Sequence, residues 1–273
     1  MRTSGIRMQA IRAAFERLRR QHRRALVPFI MGGDPSLALT RQLLLALEDA
    51  GADCIEVGIP FSDPLADGPT IQASSVRALA RGTTPARVLD AVASVRHRLR
   101  VPVICLTYWN PVAQFGRDGA APFLRAARGS GVHGLIVPDL PTEEAVPLRA
   151  AAAREDLATI FLVAPTSGPE RMRAIARASE GFIYYVSVTG TTGVRRQLPP
   201  SLVQGVRQLR LVTTKPICVG FGISTPAHAA AVARIADGVI VGSALIRAIA
   251  APRTTAGRLR AATALMTRLR RAV

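Results

Sequence analysis

The sequence predicts an α/β fold of the (β/α)8 TIM barrel class, with one domain over residues 1–273. Eight short apolar segments recur along the chain, and most of them lead into a helical pattern. They do not alternate with polar residues, which is typical of parallel strands buried on both faces. A nucleotide-binding doubly wound sheet would carry GxGxxG after its first strand, and Gly32-Gly33-Asp34-Pro35 is a different motif. The eight units and the chain length therefore favour the barrel.

The elements can be placed in order from periodicity and end signals. An N-terminal helix is predicted because Ile11, Ala14, Phe15 and Leu18 form one apolar face. Ser36 and Thr84-Pro85 are typical helix starts. The predicted strands cover 26–31, 54–58, 102–107, 134–137, 159–163, 182–187, 216–219 and 238–241.

The amino-acid composition indicates which partners the chain can bind and in which cellular compartment it is expected. The formal net charge is +18, from 36 basic and 18 acidic residues, but the cations are almost all arginines scattered over alanine-rich helices. Because aromatic residues are few near them, adventitious polyanion binding is expected rather than a specific nucleic-acid site. No apolar stretch is long enough to span a membrane. Cys54, Cys105 and Cys218 lie in predicted strands, as free thiols of a reducing cytoplasm would.

One stretch, Gly51–Thr70, combines a strand with an acidic loop. Its strand contains Glu56 among apolar residues, where an unpaired carboxylate costs several kcal/mol. The loop that follows is fixed by prolines, aspartates and a glycine, among them Pro60, Asp63 and Asp67. Glu56 is therefore a candidate for chemistry.

Lysine and histidine chemistry is excluded at the strand ends where a barrel builds its site. Lys215, the sole lysine, precedes a strand, and the four histidines lie in helices or before a strand. Neither a Schiff-base lysine nor a histidine metal cluster is expected there. What remains is metal-free acid–base chemistry by carboxylates and tyrosines, namely Glu56, Asp34, Asp63, Asp67, Asp139, Tyr108 and Tyr184.

Glycines and apolar residues at the same strand ends indicate the substrate. Gly193, Gly222 and Gly242-Ser243 follow the last three strands, where barrels commonly bind a phosphate with loops and a short helix. A flat apolar substrate is suggested by the residues Phe29, Tyr108, Ile136, Leu162, Tyr184 and Phe221. The residues alone thus predict acid–base chemistry on a phosphorylated, partly flat molecule.

Several motifs in order resemble the tryptophan synthase alpha chain family. They are IEVGIPFSDPLADGPTIQ (55–72), FIMGGDP (29–35), LTYWNP (106–111), GLIVPDLP (134–141), YYVSVTGTTG (184–193), GFGIS (220–224) and VGSAL (241–245). The resemblance extends from about Ile11 to the last helix. It implies a barrel with an extra N-terminal helix and a small phosphate-binding helix after the eighth strand.

The resemblance implies cleavage of indole-3-glycerol phosphate to indole and glyceraldehyde 3-phosphate without a cofactor. Glu56 would be the acid–base residue, Asp67 would hold the indole N–H, and Tyr184 would lie beside them. The indole ring would be enclosed by Phe29, Tyr108, Ile136, Leu162 and Phe221, and the phosphate by Gly193, Gly222, Gly242 and Ser243. The loops 60–69 and 188–197 would close over the substrate.

The family resemblance also implies a partner. An alpha chain docks on a pyridoxal-phosphate beta chain in an alpha2-beta2 heterotetramer, and Pro60 and Asp63 lie in the loop that would contact it. The indole would pass to that beta chain for L-tryptophan synthesis. Two alternatives stay open: a stand-alone lyase that releases indole for another pathway, and a non-catalytic basic barrel that binds nucleic acid.

Overall fold

Parallel strands form the centre of the molecule, as seen in a computed structural model that describes residues 6–186, 198–220 and 222–273, with residues 6–8 as backbone only. In sheet order, the strands run β5-β4-β3-β2-β1-β9-β8-β7-β6, and every pair is parallel. Their bounds are β1 Ala25–Met31, β2 Ile55–Gly58, β3 Val103–Leu106, β4 Val132–Ile136, β5 Ala158–Ile160, β6 Leu162–Val163, β7 Ile183–Val186, β8 Ile217–Gly220 and β9 Gly238–Val241.

Helices connect the strands and surround them. Their bounds are α1 Ile6–Arg20, α2 Leu37–Asp49, α3 Pro69–Ala80, α4 Pro85–Val95, α5 Trp109–Ala113, α6 Ala121–Ser130, α7 Val146–Arg154, α8 Pro169–Ala178, α9 Pro200–Val212, α10 Pro226–Ala233, α11 Ser243–Ala250 and α12 Thr255–Arg270. The predicted helix starts are confirmed: the Ser36 hydroxyl accepts from the Leu39 N–H, and that of Thr84 from the Arg87 N–H. No helix within the described ranges is long and apolar enough to cross a membrane.

The prediction of one strand over 159–163 is wrong in detail, because the structure divides this segment at Phe161. Ile160 of β5 pairs with Ile136 of β4, whereas Leu162 of β6 pairs with Tyr184 of β7. The Phe161 N–H bonds to the Ser179 hydroxyl instead of a strand. The chain thus passes from one ladder to the next at Phe161, and this step closes the barrel.

The predicted N-terminal helix is confirmed, and it covers one end of the barrel. Ile11, Ala14, Phe15 and Leu18 are at most 6% exposed, and the Phe15 ring lies 5.6 Å from that of Phe182. Phe182 precedes β7, so α1 closes the end at which the strands begin. The strands end at the opposite rim, which stays available for a site.

Candidate active site

Glu56 is buried in the middle of β2 without a hydrogen-bond partner. Its strand neighbours in register are Phe29 of β1 and Ile104 of β3. The side chain is 0% exposed, and neither carboxyl oxygen has a partner within the described part of the chain. Loss of hydration raises the pKa of Glu56 to about 8. At neutral pH the residue is therefore mostly a neutral carboxylic acid that can give up a proton.

The raised pKa of Glu56 predicts a specific pH dependence of stability. The unfolded chain releases this proton near the usual pKa of 4.5, and the folded chain near 8. Between these values the folded state binds one more proton than the unfolded state. The free energy of unfolding therefore falls by about 1.4 kcal/mol for each unit by which the pH rises. The contribution of Glu56 is complete below the lower value and is lost as the pH rises through the higher one.

Urea unfolding of the wild type and of Glu56→Gln at several pH values measures this effect. The difference between the two free energies of unfolding is expected to follow the slope given above. A difference that does not change with pH across the window would contradict a buried carboxyl with a raised pKa.

Asp67 lies in the loop between β2 and α3, next to Gly68, the N-cap of α3. Partial burial raises the pKa of Asp67 to about 6, while a hydrogen bond from the Tyr108 hydroxyl lowers it. The same Tyr108 oxygen accepts a 3.0 Å bond from the Ala66 N–H. Asp67 is thus ionised near pH 7, and two carboxyl groups with different pKa values suit separate roles as acid and anion.

Tyr184 lies within electrostatic reach of both carboxyl groups. Burial first, and then the charges of Glu56, Cys218 and Asp67, raise the pKa of Tyr184 well above its usual value. Its ring lies over Gly220, where an added Cβ would be 2.4 Å from the hydroxyl oxygen. The Tyr184 hydroxyl therefore remains protonated and keeps its donor capacity beside the carboxyl groups.

The described apolar candidates surround these groups. Phe29 is 5% exposed, and its ring lies so close to Gly58 that an added Cβ would be 2.6 Å from Cζ. Ile136 is fully buried inside the barrel, whereas Leu162 is partly exposed and offers the more accessible surface. Phe221, predicted for the same pocket, lies outside the described residues.

The phosphate candidates after the last two strands occupy a helix start and a turn. Gly242 is the N-cap of α11, and its carbonyl accepts from the Ile246 N–H. The backbone N–H groups from Ser243 to Leu245 thus precede the first helical bond and are suited to an anion. Gly222 is exposed with φ +79°, a conformation that favours glycine. Gly193 and the whole of the predicted lid 188–197 lie outside the described residues.

Comparison with known proteins places the chain in a family. A sequence profile described as Tryptophan synthase alpha chain matches residues 15–273. The chain belongs to the tryptophan synthase alpha chain family. It is 50% identical to the alpha chain of Geotalea daltonii over 88% of this chain and 90% of the relative, and 51% identical to that of Gloeobacter violaceus over 91% and 90%.

Solved structures agree with this family assignment. Tryptophan synthase subunit alpha from Legionella pneumophila matches with a TM-score of 0.88 and 38% identity, over 96% of this chain and 97% of that one. A chain of the tryptophan synthase a2b2 complex from Pyrococcus furiosus matches with a TM-score of 0.84 and 36% identity, over 90% of this chain and 97% of that one. The predicted barrel class and family are thereby confirmed, and the comparisons support the function of a tryptophan synthase alpha chain rather than either of the two alternatives.

An ion pair between the buried Asp34 and the exposed Arg77 was not predicted from the tryptophan synthase motifs. Asp34, one of the predicted carboxylate candidates, accepts two bonds from the Arg77 guanidinium, at 2.9 and 2.6 Å, and one from the Ser74 hydroxyl. It thus fastens α3 to the end of β1. The sequence did contain a sign of this contact, because Ser74 and Arg77 are three residues apart and therefore lie on the same face of α3.

Asp139, another of the predicted carboxylate candidates, makes a contact that stabilises the fold. The Trp109 N–H donates to its two carboxylate oxygens, at 2.9 and 3.1 Å. Trp109 begins α5, a short helix where the sequence indicated only a connection. Asp139 therefore caps α5 and holds the loop after β3 against the loop after β4.

The predicted partner-contact loop divides into a buried and an exposed part. Pro60 is buried by the chain itself, since the strand course continues through Ile59, whose N–H bonds to the Leu106 carbonyl. The structure therefore does not support surface contact by Pro60. Asp63 is exposed, as is Leu65 nearby at 91%, so partner contact stays a prediction for Asp63.

The residues excluded from chemistry lie away from the rim. The Lys215 ammonium donates to the carbonyls of Ala176 and Ser179 at the end of α8, on the side of the barrel where the strands begin. Cys54, Cys105 and Cys218 are buried free thiols, and burial raises the pKa of each. Across the described ranges, no three His, Cys, Asp or Glu residues are grouped as metal ligands would be.

Proposed function

We propose that this chain catalyses the retro-aldol cleavage of indole-3-glycerol phosphate to indole and glyceraldehyde 3-phosphate. One observation carries the residue assignment. A fully buried carboxyl group with a pKa of about 8, Glu56, lies in a site that also holds Asp67, whose pKa is about 6. Such a pair supplies an acid and an anion at the same pH.

In the first step, the neutral Glu56 carboxyl transfers its proton to C3 of the indole ring. The ring nitrogen becomes positively charged as the indolenine forms. The ionised Asp67 carboxylate accepts a hydrogen bond from this N–H and stabilises the charge. The Tyr108 hydroxyl, bonded to the Ala66 N–H, holds the loop of Asp67 in place.

In the second step, the Glu56 carboxylate removes the proton of the hydroxyl on the carbon attached to C3. The carbon–carbon bond breaks, its electron pair returns to the ring, and a carbonyl forms on the glyceraldehyde 3-phosphate. Glu56 takes up the hydroxyl proton in place of the one that it gave to C3, so no external acid is consumed. The Tyr184 hydroxyl, kept neutral by its surroundings, would orient the reacting groups.

The remaining candidates would position the substrate. Phe29, Tyr108, Leu162, Ile136 and Phe221 would enclose the flat ring. The phosphate would bind at the start of α11, where Gly242 and Ser243 present N–H groups, together with Gly222 and Gly193. Binding at these two ends would hold C3 close to Glu56.

The partner would be a tryptophan synthase beta chain in an alpha2-beta2 complex, with pyridoxal phosphate on the beta chain and none needed here. The a2b2 description of a solved relative supports this assembly. Asp63 and the exposed Leu65 would form part of the contact. A cytoplasmic location agrees with a biosynthetic role and with three free thiols.

Indole release by the purified chain, with and without the beta chain of the same organism, tests this proposal. We expect slow release by the chain alone and an increase of about tenfold or more with the beta chain, or about 1.4 kcal/mol in activation free energy. Serum albumin at equal concentration is the control. Absence of indole release in both cases would contradict the lyase assignment, and a high rate that the beta chain leaves unchanged would favour the stand-alone alternative.

A further inference from the structure

The end of the barrel opposite the active site carries a large excess of exposed positive charge. The helices that alternate with the strands run antiparallel to them, so these helices end where the strands begin, and α1 lies across the same end. Exposed arginines from seven segments lie there: Arg17, Arg19, Arg20, Arg23, Arg96, Arg98, Arg100, Arg128, Arg154, Arg177, Arg234, Arg268 and Arg271. We call this set the basic end.

The acidic residues at this end largely serve the chain itself. Asp53 is 5% exposed, accepts from the Leu26 N–H and from Arg270, and lies 3.8 Å from the Arg23 guanidinium. Asp237 accepts from Arg210 and from the Ile217 N–H. Such pairs bring the strand starts and helix ends together, but they do not neutralise the surface.

Other acids at this end add little to the exposed charge. Glu48 is partly buried and accepts from the Arg100 N–H, and Asp156 is buried. The exposed acids of the basic end, in the described part of the chain, are Glu16 and Asp49. Thirteen exposed arginines thus face two exposed carboxylates and the three partly buried ones of Glu48, Glu155 and Glu180.

Helix stability accounts for only part of this pattern. A cation in the last turn stabilises a helix by about 0.3–1 kcal/mol, which explains single arginines such as Arg128, Arg154 and Arg177. It does not require four exposed arginines in the last turn of α1 and just after it, or three in the short segment that follows α4. The accumulation of like charge on one face raises the local potential and attracts polyanions.

The chemistry of the face selects among polyanions. Guanidinium groups bind phosphates with two parallel hydrogen bonds. The large exposed apolar residues in the described ranges are Leu65, Val76, Val146 and Leu211, and none is aromatic. Stacking on unpaired bases therefore lacks a platform, and insertion into a membrane lacks an apolar cluster. A double-stranded nucleic acid, whose phosphates lie outside its stacked bases, fits this face best.

We propose that the basic end binds the phosphate backbone of double-stranded nucleic acid without sequence preference, while the active site at the opposite rim remains accessible. The interaction adds to the lyase function and does not depend on it. Because phosphate contacts release counterions, binding is expected to weaken steeply as salt increases.

Fluorescence anisotropy with a labelled DNA duplex of about 24 base pairs and arbitrary sequence tests the proposal between roughly 50 and 300 mM salt. The test variant combines Arg19→Glu, Arg98→Glu and Arg268→Glu. The control variant combines Arg41→Glu, Arg81→Glu and Arg117→Glu, which are exposed residues outside the basic end, near the active-site end. Each reversal removes two charges, so both triple variants change the net charge from +18 to +12.

The test variant is expected to bind about tenfold or more weaker at low salt, and the slope of log affinity against log salt is expected to fall by about three. The control variant is expected to stay within about twofold of the wild type. Equal losses in both variants would overturn the proposal, because net charge alone would then explain binding. Binding of vesicles rich in phosphatidylserine without binding of the duplex would also overturn it.

Folding is checked by thermal unfolding monitored by circular dichroism. If the glutamate triple is unfolded, the same positions changed to glutamine remove three charges and replace it. The expected fall in the salt slope stays at about three, since three phosphate contacts are still lost. An unchanged slope in a folded glutamine triple would overturn the proposal.

Discussion

Glu56→Gln is expected to reduce the rate of indole release by about a thousandfold, within the range of about 10²–10⁴ for general acid–base catalysis. Glutamine has nearly the same shape as the neutral glutamic acid that occupies this position at pH 7. It cannot protonate C3 of the indole or remove the proton of the glycerol hydroxyl. Steady-state kinetics gives the rate, and titration with an indole-propyl phosphate, which lacks the reacting hydroxyls, gives the binding constant.

The affinity for that analogue is expected to change little, because the phosphate and ring contacts do not include Glu56. The pH profile of the wild type adds a second observation. The efficiency kcat/KM should decline above about pH 8, where the free enzyme loses the Glu56 proton. Retention of more than about a tenth of the wild-type rate in Glu56→Gln would remove Glu56 from its proposed role.

Cys54→Ala is the matched control for Glu56→Gln. Cys54 lies two residues earlier on the same face, is 0% exposed, and packs in the barrel interior. Its removal changes packing close to Glu56 at a cost on the order of 1 kcal/mol in stability, without touching the proton transfers. A comparable loss of rate in both variants would attribute the effect to packing.

The burial of Glu56 could be predicted from the sequence because burial in a strand is a local property. Glu56 is flanked by apolar residues in a non-alternating segment, and such a segment is buried in a parallel barrel. A buried acid without a local cation must then be neutral or functional. The unpartnered oxygens and the raised pKa of Glu56 agree with this reasoning.

Contacts between distant segments could not be predicted in the same way. The bonds of Tyr108 to Ala66 and Asp67 join residues more than 40 positions apart, and those of Asp34 to Ser74 and Arg77 span similar separations. Local periodicity contains no information on which side chains meet across a barrel. These contacts follow only from the tertiary fold.

The break in the strand at Phe161 and the burial of Pro60 could not be predicted from local sequence patterns either. The apolar segment 159–163 has no signal for a break at Phe161, because the break arises from pairing with different neighbours on either side. The segment that begins at Pro60 has the composition of a surface turn. The extended course of β2 nevertheless continues past Gly58, and Pro60 is buried. Both differences result from the geometry of the closed sheet.

Asp67→Asn is expected to lower kcat/KM by about 10²–10³, as removal of a charge-stabilising group commonly does. The amide can still accept a hydrogen bond from the indole N–H, but it carries no negative charge to stabilise the indolenine cation. In the wild type, activity should also decline below about pH 6, where Asp67 becomes protonated. The variant should lose this acidic limb, which pH-dependent kinetics will measure.

Tyr108→Phe separates the charge of Asp67 from its position, and it provides the control. The Tyr108 hydroxyl lowers the pKa of Asp67, so its removal should move the acidic limb to higher pH. Near pH 8, where Asp67 is ionised in both proteins, the loss of rate should be much smaller than in Asp67→Asn. A shift to lower pH, or an acidic limb that persists in Asp67→Asn, would mean that another group titrates. The direction of the shift thus identifies the Asp67 carboxylate, because a change in loop packing alone has no reason to raise the pH of the limb.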